Sequence, residues 1–312
     1  MSKGLRVGVV GVGYLGRFHA LIWSRLAGAE LVGVVDTHTE AAEKVAEEAG
    51  CHAFSDAATL IDAGLDAVSI VVPTSLHREV SLPFLQAGIH MLLEKPIADS
   101  RENAEAIVSA ARRAGVILQI GHLERFNAGI MALAQRIQQP RFIEAHRMGG
   151  FVDRATDVDV VSDLMIHDID IILSLVESEI VHISAAGTPV LTEHIDIANA
   201  RLEFANGAVA NVIASRVSET RLRRIRVFEP KRYQSLDFIE QTLDLAWPEP
   251  RDDQKWPEIV TERVAIKPVK PLDAEIAAFM NCCRSGSRPL VSGEDGLAAL
   301  DVALQVKGKI SA

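Results

Sequence analysis

Gly11-Val12-Gly13-Tyr14-Leu15-Gly16 is the stretch on which the reading of this chain turns. A GxGxxG run alone is common in turns, and its surroundings give it meaning. Before it, Leu5 to Val10 is short, apolar and rich in β-branched residues, the composition of a strand buried on both faces. After it, Leu15, Phe18, Ile22 and Leu26 recur at helical spacing as far as Gly28. In a strand–turn–helix each glycine has its own task. Gly11 permits the tight turn, Gly13 lets the backbone approach a pyrophosphate, and Gly16 lets helix and strand pack closely. The helix start, with Tyr14 and Leu15, offers free N–H groups and a partial positive charge to phosphates.

A second apolar run, Glu30 to Val35, ends at Asp36, twenty residues beyond Gly16. A carboxylate there accepts hydrogen bonds from both ribose hydroxyls and repels a 2′-phosphate. Thr37 and His38 supply no arginine to offset that repulsion. The expected cofactor is therefore NAD rather than NADP.

The pattern continues outward. Thr39 to Ala49 reads as a helix stopped by Gly50, Asp66 to Val72 as a buried strand, and Arg78 to Ala87 as a helix. His90 to Leu93 is the next strand, Asp99-Ser100 caps a helix to Ala114, and Val116 to Ile120 is a strand again. Strands alternating with helices mean a parallel sheet covered on both faces. This α/β, doubly wound Rossmann domain is expected over residues 1–121.

Beyond Gly121 the texture changes. A helix from about Ala128 to Gln138 precedes longer, strand-like segments at Phe142–Phe151, Ile180–Gly187, Asp196–Phe204, Ala208–Ser215 and Arg223–Phe228. Asn206-Gly207 marks a hairpin. One helix, Val161 to Val176, interrupts them, edge strands follow within Leu236–Val264, and helices at Asp273–Arg284 and Gly293–Ile310 close the chain. Residues 122–312 are expected to form an α+β substrate-binding and oligomerisation domain on a largely antiparallel open sheet, its last helices packing back on the first domain.

The formal net charge of −10 over 312 residues argues against nonspecific binding to nucleic acid or anionic membrane. The run Arg221-Leu222-Arg223-Arg224-Ile225-Arg226 does not alter this: on a strand its charges alternate between faces, and no aromatics interleave for base stacking. It reads as a sheet edge or subunit contact. Cys51, Cys282 and Cys283 lack metal-ligand spacing and read as buried or half-buried thiols. The histidines form no ligand cluster, so no metal is expected. An apolar strand so soon after Met1 leaves no room for a signal peptide, and no apolar run reaches bilayer length, so a cytoplasmic protein is expected.

Two features carry chemistry. Glu94-Lys95-Pro96 follows the strand at His90–Leu93, at the carboxyl edge where doubly wound sheets bind ligands. A lysine there can hydrogen-bond a substrate hydroxyl, or be an ordinary surface lysine. Asp163 and His167, four residues apart on the embedded helix, share a face. An aspartate beside an imidazole suits a general base, and equally a structural pair.

The combination resembles the Gfo/Idh/MocA oxidoreductases. The matching pieces are the GxGxxG, Val72-Pro73-Thr74 with His77, Glu94-Lys95-Pro96, Asp163-x-x-x-His167, and the lead into the last helix, Pro289-Leu290-Val291-Ser292-Gly293-Glu294-Asp295-Gly296. The resemblance implies that Pro73, Thr74, His77, Glu94 and Lys95 join the glycine loop at the cofactor. It also implies that Lys95 orients the reacting hydroxyl, His167 takes its proton, Asp163 holds the imidazole, and a cis peptide precedes Pro96. A homodimer or homotetramer is implied too. Gly121 to Asn127 and Asp157 to Asp170 look like the branch acting at C3 of UDP-N-acetylglucosamine, upstream of an aminotransferase in lipid A biosynthesis, although Ala128 stands where that branch usually has proline. Such a substrate needs cations for its pyrophosphate, and Arg125, Arg147 and Arg154 are candidates. Lys95, Arg125, Arg154, Asp163 and His167 are thus the expected substrate-binding residues. The alternatives are a dehydrogenase for a free sugar or inositol-type polyol, and an NAD-binding regulatory protein without turnover.

Overall fold

The computed structural model describes residues 4–152, 158–252, 255–267 and 269–310. The first apolar run is β1 (Leu5–Val10), the glycine loop opens α1 (Tyr14–Arg25), and the second run is β2 (Ala29–Val35). Then follow α2 (Thr39–Ala49), β3 (His52–Phe54), α3 (Ala57–Asp62), β4 (Ala67–Ile70), α4 (His77–Gln86), β5 (His90–Glu94), α5 (Arg101–Ala114) and β6 (Leu118–Gly121). The strands are parallel, in the order β3-β2-β1-β4-β5-β6. Strand order reverses between β1 and β4, which places the glycine loop at the switch point where such sheets bind ligands. β3 and α3 are additions to the sequence reading. β3 is an edge strand of three residues, and α3 is held by Asp56 accepting from the Thr59 N–H at 2.8 Å with only Leu60 buried.

The first compact unit comprises Met1–Leu123 and Lys270–Leu300. Its core gathers Val7, Val9, Val34 and Leu92 from the sheet, Trp23 from α1, and Ile276 and Phe279 from α8 (Pro271–Ser285). The Trp23 and Phe279 rings meet edge-on with centroids 6.2 Å apart, and the buried indole N–H donates to Ser69 Oγ at 2.9 Å. Burial pushes the Cys51 thiol up to about 11 and, with Cys282 adjacent, the Cys283 thiol up to about 12. Neither is a thiolate at neutral pH. No described helix is long and apolar enough to cross a membrane.

The second unit comprises Glu124–Val269 and Asp301–Ala312. It holds β7 (Phe142–Met148), β8 (Ile180–Thr188), β9 (Ile197–Phe204), β10 (Val209–Ser215), β11 (Leu222–Glu229), β12 (Arg232–Asp237), β13 (Thr242–Glu249) and β14 (Glu258–Val264) in the order β14-β13-β12-β11-β7-β10-β9-β8. Only the β7–β10 pair among these is parallel. Along β7, Ile143, Ala145 and Arg147 are buried while the alternate residues are half-exposed, so one face is covered. α7 (Ile166–Val176) packs on β7 and β10 and brings Ile169 and Ile172 to the core. α6 (Ala128–Ala134) is shorter than expected, and the last helix is α9 (Gly293–Ile310). Two expectations change. Val161–Met165 winds as a π turn ahead of α7, and the arginine-rich β11 lies inside the sheet rather than at its edge.

Buried Asp196, between β8 and β9, accepts N–H bonds from Val190, Leu191 and Thr192 at 2.7–2.8 Å and a hydroxyl bond from Thr192. Burial pushes its carboxyl up, but these donors outweigh it and hold it well below the usual carboxylate range. A depressed folded pKa stabilises above the unfolded value and is lost as pH falls through the folded one. Asp196→Ala should therefore lower stability by roughly 3 kcal/mol at neutral pH. Urea melts should show the gap to the parent narrowing below about pH 4; a gap independent of pH would refute this role.

Candidate active site

The glycine loop is built as its sequence requires. Gly11 has φ of +83°, and a Cβ there would meet the Val71 carbonyl oxygen at 2.3 Å. A Cβ on Gly16 would sit 1.8 Å from the Gly11 oxygen, so helix and turn can touch there only because Gly16 lacks a side chain. Gly13 differs: a Cβ there would meet nothing within 4 Å, so its backbone borders open space. Gly13 is also the N-cap of α1 and supplies no side-chain acceptor, leaving the first N–H groups to an outside anion. Tyr14 is exposed and Leu15 half-buried at the same place.

Asp36 follows β2. Its Oδ2 accepts the Val12 N–H at 2.7 Å and its Oδ1 the His38 N–H at 2.9 Å. Burial pushes this carboxyl up, but the His38 and Val12 donors outweigh it and keep it below its usual value, hence ionised. The open backbone at Gly13, the uncapped helix and this fixed carboxylate fit NAD. Asp36→Ala should reduce the preference for NAD over NADP roughly ten- to a hundredfold, the worth of hydrogen bonds to a charged group. Comparing kcat/KM with the two cofactors checks this; an unchanged ratio would refute the ribose contact.

Lys95 is half-buried just past β5, and the Lys95–Pro96 peptide is cis, as the resemblance implied. Glu94 turns inward. Its Oε2 accepts the Lys95 N–H at 3.3 Å, and its Oε1 lies 3.2 Å from Nε2 of His19, fully buried on α1. A side chain at Gly121 would strike that carboxyl at 2.8 Å. His77 is equally enclosed, with Nδ1 2.9 Å from the Pro96 oxygen and Nε2 3.0 Å from the Val72 oxygen. Burial pushes this imidazole below its usual pKa, against the pull of the carbonyls. His77 thus bridges the loop after β4 to the loop after β5, and its ring nitrogens face the main chain. Pro73 is exposed, and Thr74 opens the 3₁₀ turn Thr74–Leu76.

In the second unit, Asp163 lies in the π turn and His167 one turn on, in the first turn of α7. Both are half-buried, whereas Ile166, Asp168 and Ile169 are buried. π turns recur at functional sites. Asp159 anchors this start: it accepts the Ser162 N–H at 2.9 Å, the Ser162 hydroxyl at 3.1 Å and the Lys307 ammonium at 2.8 Å. Behind His167, Asp168 receives a two-pronged Arg147 at 2.9 and 3.0 Å, and the remaining prong of Arg147 reaches Glu124 at 2.9 Å. Burial opposes charge on Arg147, but the two carboxylates outweigh it and raise its pKa further.

Of the proposed pyrophosphate cations, Arg147 is therefore taken up inside the protein. Arg125 sits 3.4 Å from Asp170, and Arg154 lies outside the described residues. Sequence reasoning missed His19, Asp159, Asp168 and Lys307. His19, a polar residue among the apolar positions of α1, and the Asp159-x-x-Ser162 spacing of an N-cap were the available signals.

Comparison with known proteins agrees with this architecture. A model of an oxidoreductase family with an NAD-binding Rossmann fold matches residues 5–122, and a GFO/IDH/MocA C-terminal domain matches residues 130–231. UDP-N-acetylglucosamine 3-dehydrogenase of Acidithiobacillus ferrooxidans is 39% identical over 309 residues, covering 99% of this chain and 98% of that one. A solved structure of that enzyme matches with a TM-score of 0.93 at 39% identity, covering 98% of this chain and 97% of the other. scyllo-Inositol 2-dehydrogenase (NAD(+)) of Bacillus subtilis is 32% identical over 236 residues, 70% of this chain and 69% of that one.

Proposed function

Because the chain belongs to the Gfo/Idh/MocA oxidoreductases, we propose that it oxidises the C3 hydroxyl of UDP-N-acetylglucosamine to a ketone. The observation that carries the substrate is the match to the Acidithiobacillus enzyme along nearly the whole of both chains. Resemblance to the inositol dehydrogenase is lower and covers less of the chain.

The reaction breaks an O–H and a C–H bond and forms a C=O bond. NAD, when bound, supplies the acceptor for the hydrogen and electron pair leaving carbon. Lys95 donates a hydrogen bond to the hydroxyl oxygen and stabilises the charge that develops there. His167 takes the hydroxyl proton, and Asp163 orients the imidazole and favours its protonated form. Gly11, Gly13, Tyr14, Leu15 and Gly16 hold the pyrophosphate of the cofactor, and Asp36 its ribose. Pro73 and Thr74 line the cofactor; His77 and Glu94 serve it through the loops they hold. Arg125 and Arg154 serve the nucleotide sugar. The product suits a 3-aminotransferase of a lipid A pathway, and the protein works in the cytoplasm as a homodimer or homotetramer.

The test is to supply NAD with UDP-N-acetylglucosamine, free N-acetylglucosamine and inositols, and to follow the reduced nicotinamide. Alcohol oxidation by NAD is uphill at neutral pH, so an aminotransferase with glutamate removes the ketone. Turnover of the UDP-sugar supports the reading. Turnover of an inositol without the UDP-sugar overturns it.

A further inference from the structure

The strand β11 sorts the basic run that the sequence presents as one block. Arg224 and Arg226 face the outer side of the sheet, where Arg224 pairs with Asp237 at 2.9 Å and Arg226 with Glu144. Arg223 belongs to the covered face. Its partner across β7 is Arg147, so two cationic side chains stand opposite one another, an arrangement that repels. Arg147 already donates to Asp168 and Glu124, and no acidic side chain forms an ion pair with Arg223 among the described residues. Arg221, two positions earlier and exposed, is likewise without one.

Arg223 is half-buried. Burial, and then the neighbouring Arg147, push its guanidinium below its usual pKa. Holding a cation partly out of water beside another cation disfavours the fold unless something compensates. The local count is three arginines, 147, 221 and 223, against the carboxylates of Asp168 and Glu124, so a positive charge is left over. The place also matters. Arg147 grips Asp168, the residue next to His167, so Arg223 stands one guanidinium away from the start of α7. The Phe238 N–H donates to the Arg223 carbonyl at 2.9 Å and fixes the strand there.

We propose that Arg223, with Arg221 beside it, binds the diphosphate of a nucleoside-diphosphate substrate. This rests on the nucleotide-sugar reading above and replaces Arg147 as the cation of that subsite. A planar guanidinium suits two phosphate oxygens at once. An uncharged polyol would leave it without a partner.

The experiment uses the full-length protein saturated with NAD. UDP is titrated calorimetrically, and UDP-N-acetylglucosamine kinetics are measured for the parent, Arg223→Gln, Arg223→Lys and, as an outer-face control, Arg224→Gln. Arg223→Gln is expected to raise the UDP Kd and the substrate KM roughly ten- to a hundredfold, the effect of losing charge-assisted hydrogen bonds. kcat should change less, NAD affinity should stay the same, and Arg223→Lys should recover part of the loss. The Tm of Arg223→Gln should hold or rise, since a repulsion is removed; a Tm several degrees lower would identify a structural role instead and overturn the proposal. Parent-like UDP affinity in Arg223→Gln, with the UDP-sugar still oxidised, overturns the Arg223 assignment alone. A parent that oxidises only uncharged polyols and does not bind UDP overturns both readings. UDP binding that depends on Arg223 in a protein that does not oxidise the UDP-sugar supports the subsite and overturns the substrate.

Discussion

Replacing Lys95 with methionine should lower turnover by roughly a thousandfold while NAD affinity stays within a few-fold of the parent. Methionine keeps most of the volume and removes the only groups that matter to the proposed step, the three ammonium donors. The loop itself should persist. It is held through the main chain, by Glu94 accepting the Lys95 N–H and by His77 at the Pro96 oxygen, and neither contact involves the lysine side chain. The residues proposed to bind NAD are others, above all Gly13, whose backbone borders open space, and Asp36, whose carboxylate is fixed by the Val12 N–H. Nicotinamide fluorescence for binding and steady-state rates for turnover separate the two effects. A methionine variant that keeps kcat would remove Lys95 from the reaction, and one that loses both rate and cofactor would make it a binding residue.

His167→Ala should lower kcat by roughly 10²- to 10⁴-fold with a smaller change in KM, as expected for a lost general base. The helix should survive the change. α7 is anchored by fully buried Ile166, Ile169 and Ile172, whereas His167 is only half-buried. Because solvent base can take the proton slowly, the variant should regain part of its rate as pH is raised or imidazole is added. Full activity in His167→Ala would refute the assigned base, and collapse of the fold, seen by circular dichroism, would show that the side chain is structural.

What could be read from sequence was what depends on near neighbours. The glycine loop, β1, α2 and the Ser100 cap follow from runs of a dozen residues, and α2 begins and ends where Thr39 and Gly50 place it. Short elements with little apolar content escaped: His52-Ala53-Phe54 finds its place only by pairing with Gly33–Val35. At the site, residue identity was legible and orientation was not. Glu94 and His77 read as cofactor contacts, yet the first turns toward His19 and the second toward main-chain carbonyls, both decided by burial.

The same holds for the arginines. Strand alternation separated the charges of Arg223 and Arg224, but which one meets an acid depends on Asp237, Glu144 and Asp168, each brought in by a different element. Arg147 looked available and is enclosed. Arg223 looked like surface, yet it is half-buried and forms no ion pair with an acid among the described residues.

The most direct test of oxidation at C3 follows a label. UDP-N-acetylglucosamine carrying deuterium at C3 is incubated with the enzyme, NAD, an aminotransferase and glutamate, and the reduced nicotinamide is analysed by mass spectrometry. The deuterium is expected to leave C3 and to be recovered in the nicotinamide, in step with the formation of the 3-amino sugar. Reduced nicotinamide without deuterium, or a sugar that keeps its label while turnover proceeds, would contradict it.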